Sequence, residues 1–309
     1  MNIKDNKAVF VGIVILAIML LIMFWIFISS NIFNGFKKSS ETFDTKNIHT
    51  IDVDFASYNI VAEIHSGKDI KLSWYSEKNA YCETDESNGI LTVKYHNGKN
   101  RFSLSSLRFV KKKYHTLKIE LPKEYLGKIS LSSQSGQIDA DGINVESGIS
   151  VSTLSGTIEI NNASSGQDIR VTATSGNIKM KDITLNGDYY GKIDNGNIDV
   201  FNIGNAKSFK LEATSGQIYF QNITADVFMA DSTSGNIRFK DIYANDSVTL
   251  SATSGNIKGN ISDKNSEYSF ISSSTSGSVK LPANENGIKG DKILDVKTGS
   301  ENIEIKFDK

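Results

Sequence analysis

Three acidic residues in the second half of the chain are the best candidates for chemistry. Asp194, Glu212 and Asp231 stand at similar points of a repeated sequence phrase, so folding of the repeat would bring them near one another. Paired carboxylates in a groove are the groups that sugar-cleaving enzymes use. The three acids therefore indicate a ligand patch for a sugar or a cation. The alternative is a solvated patch whose charge is balanced by Lys192 and Lys210, and we assign no catalytic residue here.

Residues 98–115 form the most cationic stretch of the chain. Five of its cations are interspersed with apolar side chains and are candidate contacts for an anionic partner: Arg101, Arg108, Lys111, Lys112 and Lys113. Such a segment suits an anionic envelope polymer or lipid head groups, and the alternative is a solvated loop with a short strand. The whole chain has 34 Lys and Arg against 35 Asp and Glu, a formal net charge of −1. That balance gives no electrostatic basis for a nucleic-acid partner.

Metal and cofactor chemistry has no signature in the sequence. The four histidines, His49, His65, His96 and His115, all precede the regular repeats and match no metal-ligand spacing. The sequence lacks the calcium-binding nonapeptide repeat, and its single cysteine, Cys82, cannot form an intrachain disulfide. We therefore predict no cofactor and no metal, and we expect a protein that is not an enzyme.

A glycine that returns about every twenty residues indicates the fold that must position these groups. It occupies positions 136, 156, 176, 196, 216, 235, 255 and 277. The phrase around it reads TATSGNIKMKDI at 172–183 and EATSGQIYFQNI at 212–223. Isoleucine stands two residues after almost every one of these glycines, and apolar residues recur four and seven residues after it. A fixed period of this length in short β-rich segments is typical of a solenoid.

Within each repeat, apolar and polar residues alternate on both sides of the glycine, which predicts two short strands with one buried face each. Stacking the repeats at about 4.8 Å, the distance between hydrogen-bonded strands, would bury a continuous apolar interior. We therefore predict an all-β, single-stranded parallel β-helix of coils of about twenty residues, with right-handed crossovers. Residues 129–309 would form its regular coils and 48–128 its irregular N-terminal coils. A separate small β-domain at 48–125 is the alternative.

The N-terminus predicts a membrane anchor. Residues 8–28 are 21 residues without a charge, enough for a helix to cross a hydrocarbon core of about 30 Å. This stretch exceeds the apolar region of a cleavable signal, and no A-x-A site follows it. We predict a short cytoplasmic tail at 1–7, an uncleaved signal anchor at 8–28 and a polar tether at 29–47. Lysines on both sides nearly balance the positive-inside rule. The polar repeats favour an extracytoplasmic location for the bulk of this single-pass chain.

The recurring T-S-G-[NQ]-I phrase, with an upstream L-x-I-x-L-P segment, resembles the DUF4097 family. The upstream segment consists of Leu117, Ile119, Leu121 and Pro122. The family comprises bacterial β-strand-repeat proteins that are often labelled adhesins. The resemblance covers about 48–309 and implies a β-helical fold outside the cytoplasm. For members with an N-terminal anchor it also implies an association with cell-envelope stress systems in Gram-positive bacteria, and it supplies no catalytic residues.

The leading functional hypothesis is a membrane-anchored scaffold or binding module in adhesion or envelope sensing. A rigid face with repeated polar side chains suits attachment to an envelope polymer or to a membrane protein. The first alternative is a carbohydrate-active enzyme that uses the outer faces of the coils. The second is an auxiliary subunit that modulates a membrane signalling protein through its span.

Overall fold

The computed structural model describes residues 14–25, 36–76, 80–96, 112–282 and 290–308. Within these ranges, residues 14–25 form an α-helix, and short 3-10 helices lie at Thr45–Asn47, Lys112–His115 and Asn265–Glu267. Among the residues so described, no helix combines the length and apolarity that a bilayer crossing requires. The remainder of the predicted 8–28 anchor, residues 8–13 and 26–28, lies outside those ranges.

Most of the rest of the described chain is β-strand. The N-terminal strands are β1 (Lys37–Asp44), β2 (Thr50–Asp54), β3 (Asn59–His65), β4 (Asp69–Ser76), β5 (Tyr81–Ser87), β6 (Ile90–His96) and β7 (Thr116–Pro122). The repeat strands are β8 (Lys128–Ser133), β9 (Ile138–Asp141), β10 (Asn144–Val145), β11 (Ile149–Ser165), β12 (Ile169–Leu185), β13 (Tyr189–Ser215), β14 (Ile218–Ser234) and β15 (Ile237–Ser254). The C-terminal strands are β16 (Ile257–Ile261), β17 (Tyr268–Ser274), β18 (Val279–Lys280), β19 (Lys292–Thr298) and β20 (Ile303–Phe307).

The repeats stack as a parallel β-solenoid of about eight turns, which confirms the predicted fold class. Each coil pairs with the next in parallel and in register, so that Ile158 faces Ile178 and Ile178 faces Ile198. These three isoleucines are fully buried. We call the strand segments that precede each repeat glycine the leading face and the segments that follow it the trailing face. Inward residues of both faces form one apolar core, because a single coil cannot bury its own apolar side.

The glycine corner between the two faces is a place where two backbones approach closely. Gly216 has a φ of +129°, and a Cβ atom at this position would lie 1.8 Å from the carbonyl oxygen of Gly196 in the coil before it. Gly196 stands in the same relation to Gly176. Only glycine combines this backbone conformation with so short a distance, so the column of glycines permits the coils to stack.

A second corner, after the trailing face, uses asparagine and aspartate. Asn202 and Asn222 adopt φ values of 56° each, a left-handed conformation that Asn tolerates better than most residues. The side-chain amide of Asn222 donates to Oδ1 of Asn202 at 2.9 Å, and that of Asn202 donates to Oδ1 of Asp182 at 2.6 Å. The same side chains therefore satisfy the turn and link consecutive coils, as amide ladders do in stacked β-structure.

The order of coils at the C-terminal end differs from their order in the sequence. Strand β19 lies between β15 and β17, and β20 lies between β16 and β18. The last coil of the chain, 290–308, is therefore inserted between the coil of 247–261 and that of 268–280. Gly277 does not stack on Gly255 as its spacing predicts. The register places Glu301 between them, Gly277 lies against the backbone of Glu301, and Gly299 lies against the backbone of Thr253.

The N-terminal end shows a similar insertion. Strand β2 lies between β6 and β8, and β3 lies between β7 and β9. Beyond them, β5 pairs antiparallel with β6, and β4 pairs antiparallel with both β1 and β7. Strands of residues 48–122 thus hydrogen-bond directly to the regular coils and share their apolar core. The antiparallel strands are a departure from the purely parallel arrangement that the repeat predicts.

Candidate functional site

The leading face carries two of the three predicted acids side by side. Glu212 and Asp231 are register partners on β13 and β14. Their strands alternate buried and outward residues, which directs both carboxylates to the outer surface. Partial burial raises the pKa of Asp231, with a further contribution from the nearby charge of Glu212. Asp194 lies apart from them: it lines a neighbouring hollow of the same face.

Glu212 is held by two neighbours that the sequence pattern did not single out as a group. Lys210 places its ammonium 2.6 Å from Oε1, and the Tyr190 hydroxyl donates to Oε2 at 2.8 Å. These contacts lower the pKa of the Glu212 carboxyl, and the hydrogen bond from Lys210 contributes most. Burial and the bond to Glu212 raise the pKa of Tyr190 to about 12. Arg170 lies over the Tyr190 ring at 4.3 Å, which is a cation–π contact. The signal for this group was the spacing of about twenty residues between its members.

Two open hollows run along the leading face beside the glycine corner. The first, of about 430 Å³, is lined by residues that include Asp54, Ser132, Ser152, Thr172, Thr174, Lys192 and Asp194. The second, of about 280 Å³, is lined by residues that include Lys192, Glu212, Thr214, Asp231, Thr233, Ser251 and Thr253. Lys192 lines both and marks the point where they adjoin. We call the two together the hydroxyl groove, because Ser and Thr supply most of its polar groups.

The predicted cationic stretch lies mostly outside the described residues. Arg101, Arg108 and Lys111 fall there, whereas Lys112 and Lys113 begin the 3-10 helix Lys112–His115. Contact of this stretch with an anionic partner stays a prediction.

Groups suited to metal or thiol chemistry are sparse in the part of the chain that the structure covers. There, no three His, Cys, Asp or Glu side chains converge closely enough to hold a metal ion. Cys82 is a free, half-buried thiol on β5. Burial, with a contribution from the charge of Glu41, raises the pKa of this thiol to about 12. The Cys82 side chain is therefore protonated at neutral pH and is a poor nucleophile.

Stacked parallel coils with polar outer faces and a single apolar interior place this chain in the class of β-solenoid proteins. The sequence matches the family described as Toastrack DUF4097 over residues 48–308. The chain therefore belongs to the DUF4097 family, which confirms the resemblance inferred from its repeats.

Several solved structures show a weaker similarity to the chain. A "putative lipid binding protein" from Parabacteroides distasonis is 18% identical with a TM-score of 0.43, covering 88% of this chain and 97% of its own. A "putative adhesin" from Bacteroides fragilis is 15% identical with a TM-score of 0.38, at 88% and 97% coverage. A "putative cell adhesion protein" from Clostridium sporogenes is 13% identical with a TM-score of 0.36, at 88% and 99% coverage. No curated protein matches the sequence.

Proposed function

We propose that this protein is a non-enzymatic binding module of the cell envelope, whose hydroxyl groove binds an extended, hydroxyl-bearing polymer such as an envelope glycan. The observation that carries the proposal is the alignment of polar side chains along the groove. Thr174, Asp194, Thr214, Thr233 and Thr253 each stand two residues before a repeat glycine, so stacking of the coils places them in one column along the groove.

The dimensions of the groove suit a polymer better than a small molecule. Its lining residues come from eight neighbouring strand segments of the leading face, two of which belong to β13. At about 4.8 Å per segment they extend over about 34 Å. Pockets for small ligands are usually concave and mainly apolar, whereas this groove is open and hydroxyl-rich. A polymer whose polar groups recur along its length would meet an equivalent donor or acceptor at each coil.

The location of the protein is part of the same proposal. Residues 8–28 are uncharged, and a stretch of 18 or more such residues is a candidate for a membrane-spanning helix. We propose that this segment anchors the chain in the cell membrane with the solenoid outside the cytoplasm. An anchored solenoid would present its groove to polymers of the envelope. Binding along many coils would attach the protein to such a polymer without any catalytic reaction.

Matched threonine variants test the polymer proposal. Thr214→Val with Thr233→Val removes two hydroxyls from the groove, and Thr184→Val with Thr224→Val removes two from exposed positions at the opposite corner. We expect the groove variant to pull down less insoluble envelope polysaccharide in co-sedimentation than the unaltered protein, and the corner variant to match it. Equal retention by both variants, or no sedimentation with the unaltered protein, would refute the proposal.

One observation favours a carbohydrate-active enzyme as a second candidate. The pKa of Glu212 is lowered while that of its neighbour Asp231 is raised, and opposed shifts in adjacent carboxyls are characteristic of acid–base pairs. Against this, the contacts of Glu212 with Lys210 and Tyr190 occupy both of its oxygens. Release of reducing sugar that disappears in both Glu212→Gln and Asp231→Asn would establish the enzyme, and polymer binding without such release supports the binding module.

A further inference from the structure

The trailing face ends in an unusual concentration of positive charge. Its outward residues on the last four strands of the stack include five cations, which we call the cationic patch: Arg238, Lys240, Lys258, Lys280 and Lys306. All five side chains belong to exposed residues. Arg238 and Lys240 lie on β15, and the other three come from β16, β18 and β20, which stack beyond it. The patch lies far along the chain from the cationic stretch at 98–115, and it is on the trailing face, whereas the hydroxyl groove is on the leading face.

The register places two of these cations against each other. Arg238 and Lys258 are direct partners on neighbouring parallel strands, and like charges at such positions destabilise a sheet. At the equivalent position of β12, Lys179 meets no like charge, because its partners on the two adjacent strands are the acids Glu159 and Asp199. The partners of Arg238 are Tyr219 and Lys258. The fold thus avoids like-charge contact at Lys179 but retains it between Arg238 and Lys258, which indicates that the positive charge at Arg238 and Lys258 has a function.

Three carboxylates lie near the five cations, so the patch keeps a net positive charge: Glu304, Asp308 and Asp241. Glu304 accepts a hydrogen bond from Lys258 at 2.9 Å and lies 3.7 Å from Lys306. The bond from Lys258, together with the charges of Lys306 and Lys280, lowers the pKa of Glu304. One carboxylate thus serves three ammonium groups. Within the described part of the chain, Arg238 forms no ion pair, so its guanidinium is available to a ligand.

The patch also has a shape that can receive a ligand. A hollow of about 650 Å³ opens between the cations. Its lining comprises the cations Arg238, Lys240, Lys258 and Lys306, the carboxylates Glu304 and Asp308, and Tyr219, Phe239, Gly259 and Asn260. Gly259 takes an inward position that other coils fill with an apolar side chain, such as Phe220 or Met180. The hollow therefore has an apolar floor, and the four cations in its lining outnumber the two carboxylates.

We propose that this hollow binds phosphate groups carried by a polymer or a surface. A guanidinium presents several donors in a plane that matches phosphate oxygens, and lysine ammonium groups add strong point charges. A phosphate has enough free oxygens to meet Arg238 and neighbouring lysines at once. This site lies on the trailing face, so its existence is independent of polymer binding in the hydroxyl groove.

A matched pair of double variants tests the site in the full-length protein. Arg238→Gln with Lys240→Gln removes two cations from the rim of the hollow, and Lys179→Gln with Lys181→Gln removes two from equivalent positions of β12. The match extends to local contacts, because Lys240 lies 3.7 Å from Asp241 and Lys181 lies 3.5 Å from Asp182. The probes are inorganic polyphosphate in solution and vesicles of phosphatidylglycerol, with phosphatidylcholine vesicles as the neutral comparison. Binding is measured by titration calorimetry or vesicle flotation.

We expect the rim variant to bind the anionic probe about tenfold more weakly, equivalent to about 1.4 kcal/mol, and the β12 variant to bind like the unaltered protein. Binding of polyphosphate and phosphatidylglycerol alike assigns the site to phosphate in general, whereas binding of the vesicles alone assigns it to lipid head groups. The proposal is overturned if neither probe binds, if phosphatidylcholine binds equally, or if both variants lose the same affinity. Unchanged circular dichroism of both variants verifies that the fold is intact.

Discussion

Replacement of one corner glycine tests the account of how the coils stack. In Gly216→Ala the new Cβ would lie 1.8 Å from the oxygen and 2.6 Å from the carbon of the Gly196 carbonyl. The clash is with backbone, so no side chain can rotate away from it. The φ of +129° is also one that alanine rarely adopts. The coil must therefore either shift its backbone or separate locally from the preceding coil.

The cost of this change follows from the contacts of the corner. Strain of this kind amounts to about 1–3 kcal/mol. Local separation from the preceding coil endangers a backbone hydrogen bond such as that from Ile198 N to Gln217 O, at 2.9 Å, worth about 1 kcal/mol. We expect a loss of about 3 kcal/mol in the free energy of unfolding, which lowers the melting temperature by about 5 °C for a chain of this size.

Thermal unfolding followed by far-ultraviolet circular dichroism measures the effect. Gly204→Ala is the matched control, because a Cβ atom at Gly204 would meet nothing within 4 Å; its melting temperature should equal or slightly exceed that of the unaltered protein. If Gly216→Ala melts together with the unaltered protein, or if the two variants lose equal stability, close backbone approach at the glycine corner does not explain the repeat.

Three further predictions concern polar groups of the solenoid. Asn222→Ala should cost about 2 kcal/mol in urea unfolding, because it loses both a residue suited to its φ of 56° and the bond to Asn202; Asn222→Gly should cost less. Lys292→Met should lower the free energy of unfolding by about 3 kcal/mol, because it removes the ammonium that lies 2.6 Å from the nearly buried carboxylate of Asp263. The double variant Lys292→Met with Asp263→Asn should recover part of that loss. The pKa of Glu212 is lower in the folded protein than its usual value of 4.5, so the ionised carboxylate stabilises the fold above pH 4.5, and this stabilisation is lost as the pH falls through the folded-state pKa. Glu212→Gln should therefore make the free energy of unfolding vary less with pH between about pH 5 and pH 3.

The parts of the fold that the sequence predicts are those repeated without interruption. Ile178, Ile198 and Ile218 follow their glycines by two residues in every case, and each is fully buried in register with the next. A strict period leaves only one register that puts every apolar column inside, since a slip of one residue would turn the columns outward. The fold class and the interior could therefore be inferred without coordinates.

The arrangement of the acids could be predicted only in part. Glu212 and Asp231 share a position in consecutive repeats, so their adjacency follows from the period alone. The separate position of Asp194, and the Tyr190 hydroxyl on Glu212, depend on side-chain directions that a period does not specify. The cationic patch likewise required the stacking order, because Lys306 and Lys280 belong to strands whose places in the stack are exchanged.

Burial explains why the order of the last two coils is exchanged. The inserted coil turns Leu294, Val296 and Ile303 inward, and all three are fully buried. The coil of 268–280 places Phe270, Ser272 and Val279 at the corresponding positions, where Phe270 is half-buried and the other two remain exposed. Burial of apolar surface contributes about 25 cal/mol per Å², so the more apolar coil gains more from an inner place that has a neighbour on both sides. The spacing of 22 residues before Gly277 was a sign of irregularity but could not reveal the exchange.

A pair of engineered cysteines distinguishes the exchanged order from the sequential one. Ser251 faces Lys297 on the neighbouring strand β19, and Lys297 faces Ser273 on β17. Adjacent strands are about 4.8 Å apart, within the Cα separation of about 4.4–6.8 Å that a disulfide needs, whereas Ser251 and Ser273 are separated by about 9.6 Å, two strand spacings. In a Cys82→Ser background, Ser251→Cys with Lys297→Cys should therefore crosslink on mild oxidation, as a shift in non-reducing electrophoresis. The pair Ser251→Cys with Ser273→Cys should not crosslink. The opposite result would show that the coils follow the order of the sequence. It would also remove Lys306 from its place near Lys258 in the cationic patch.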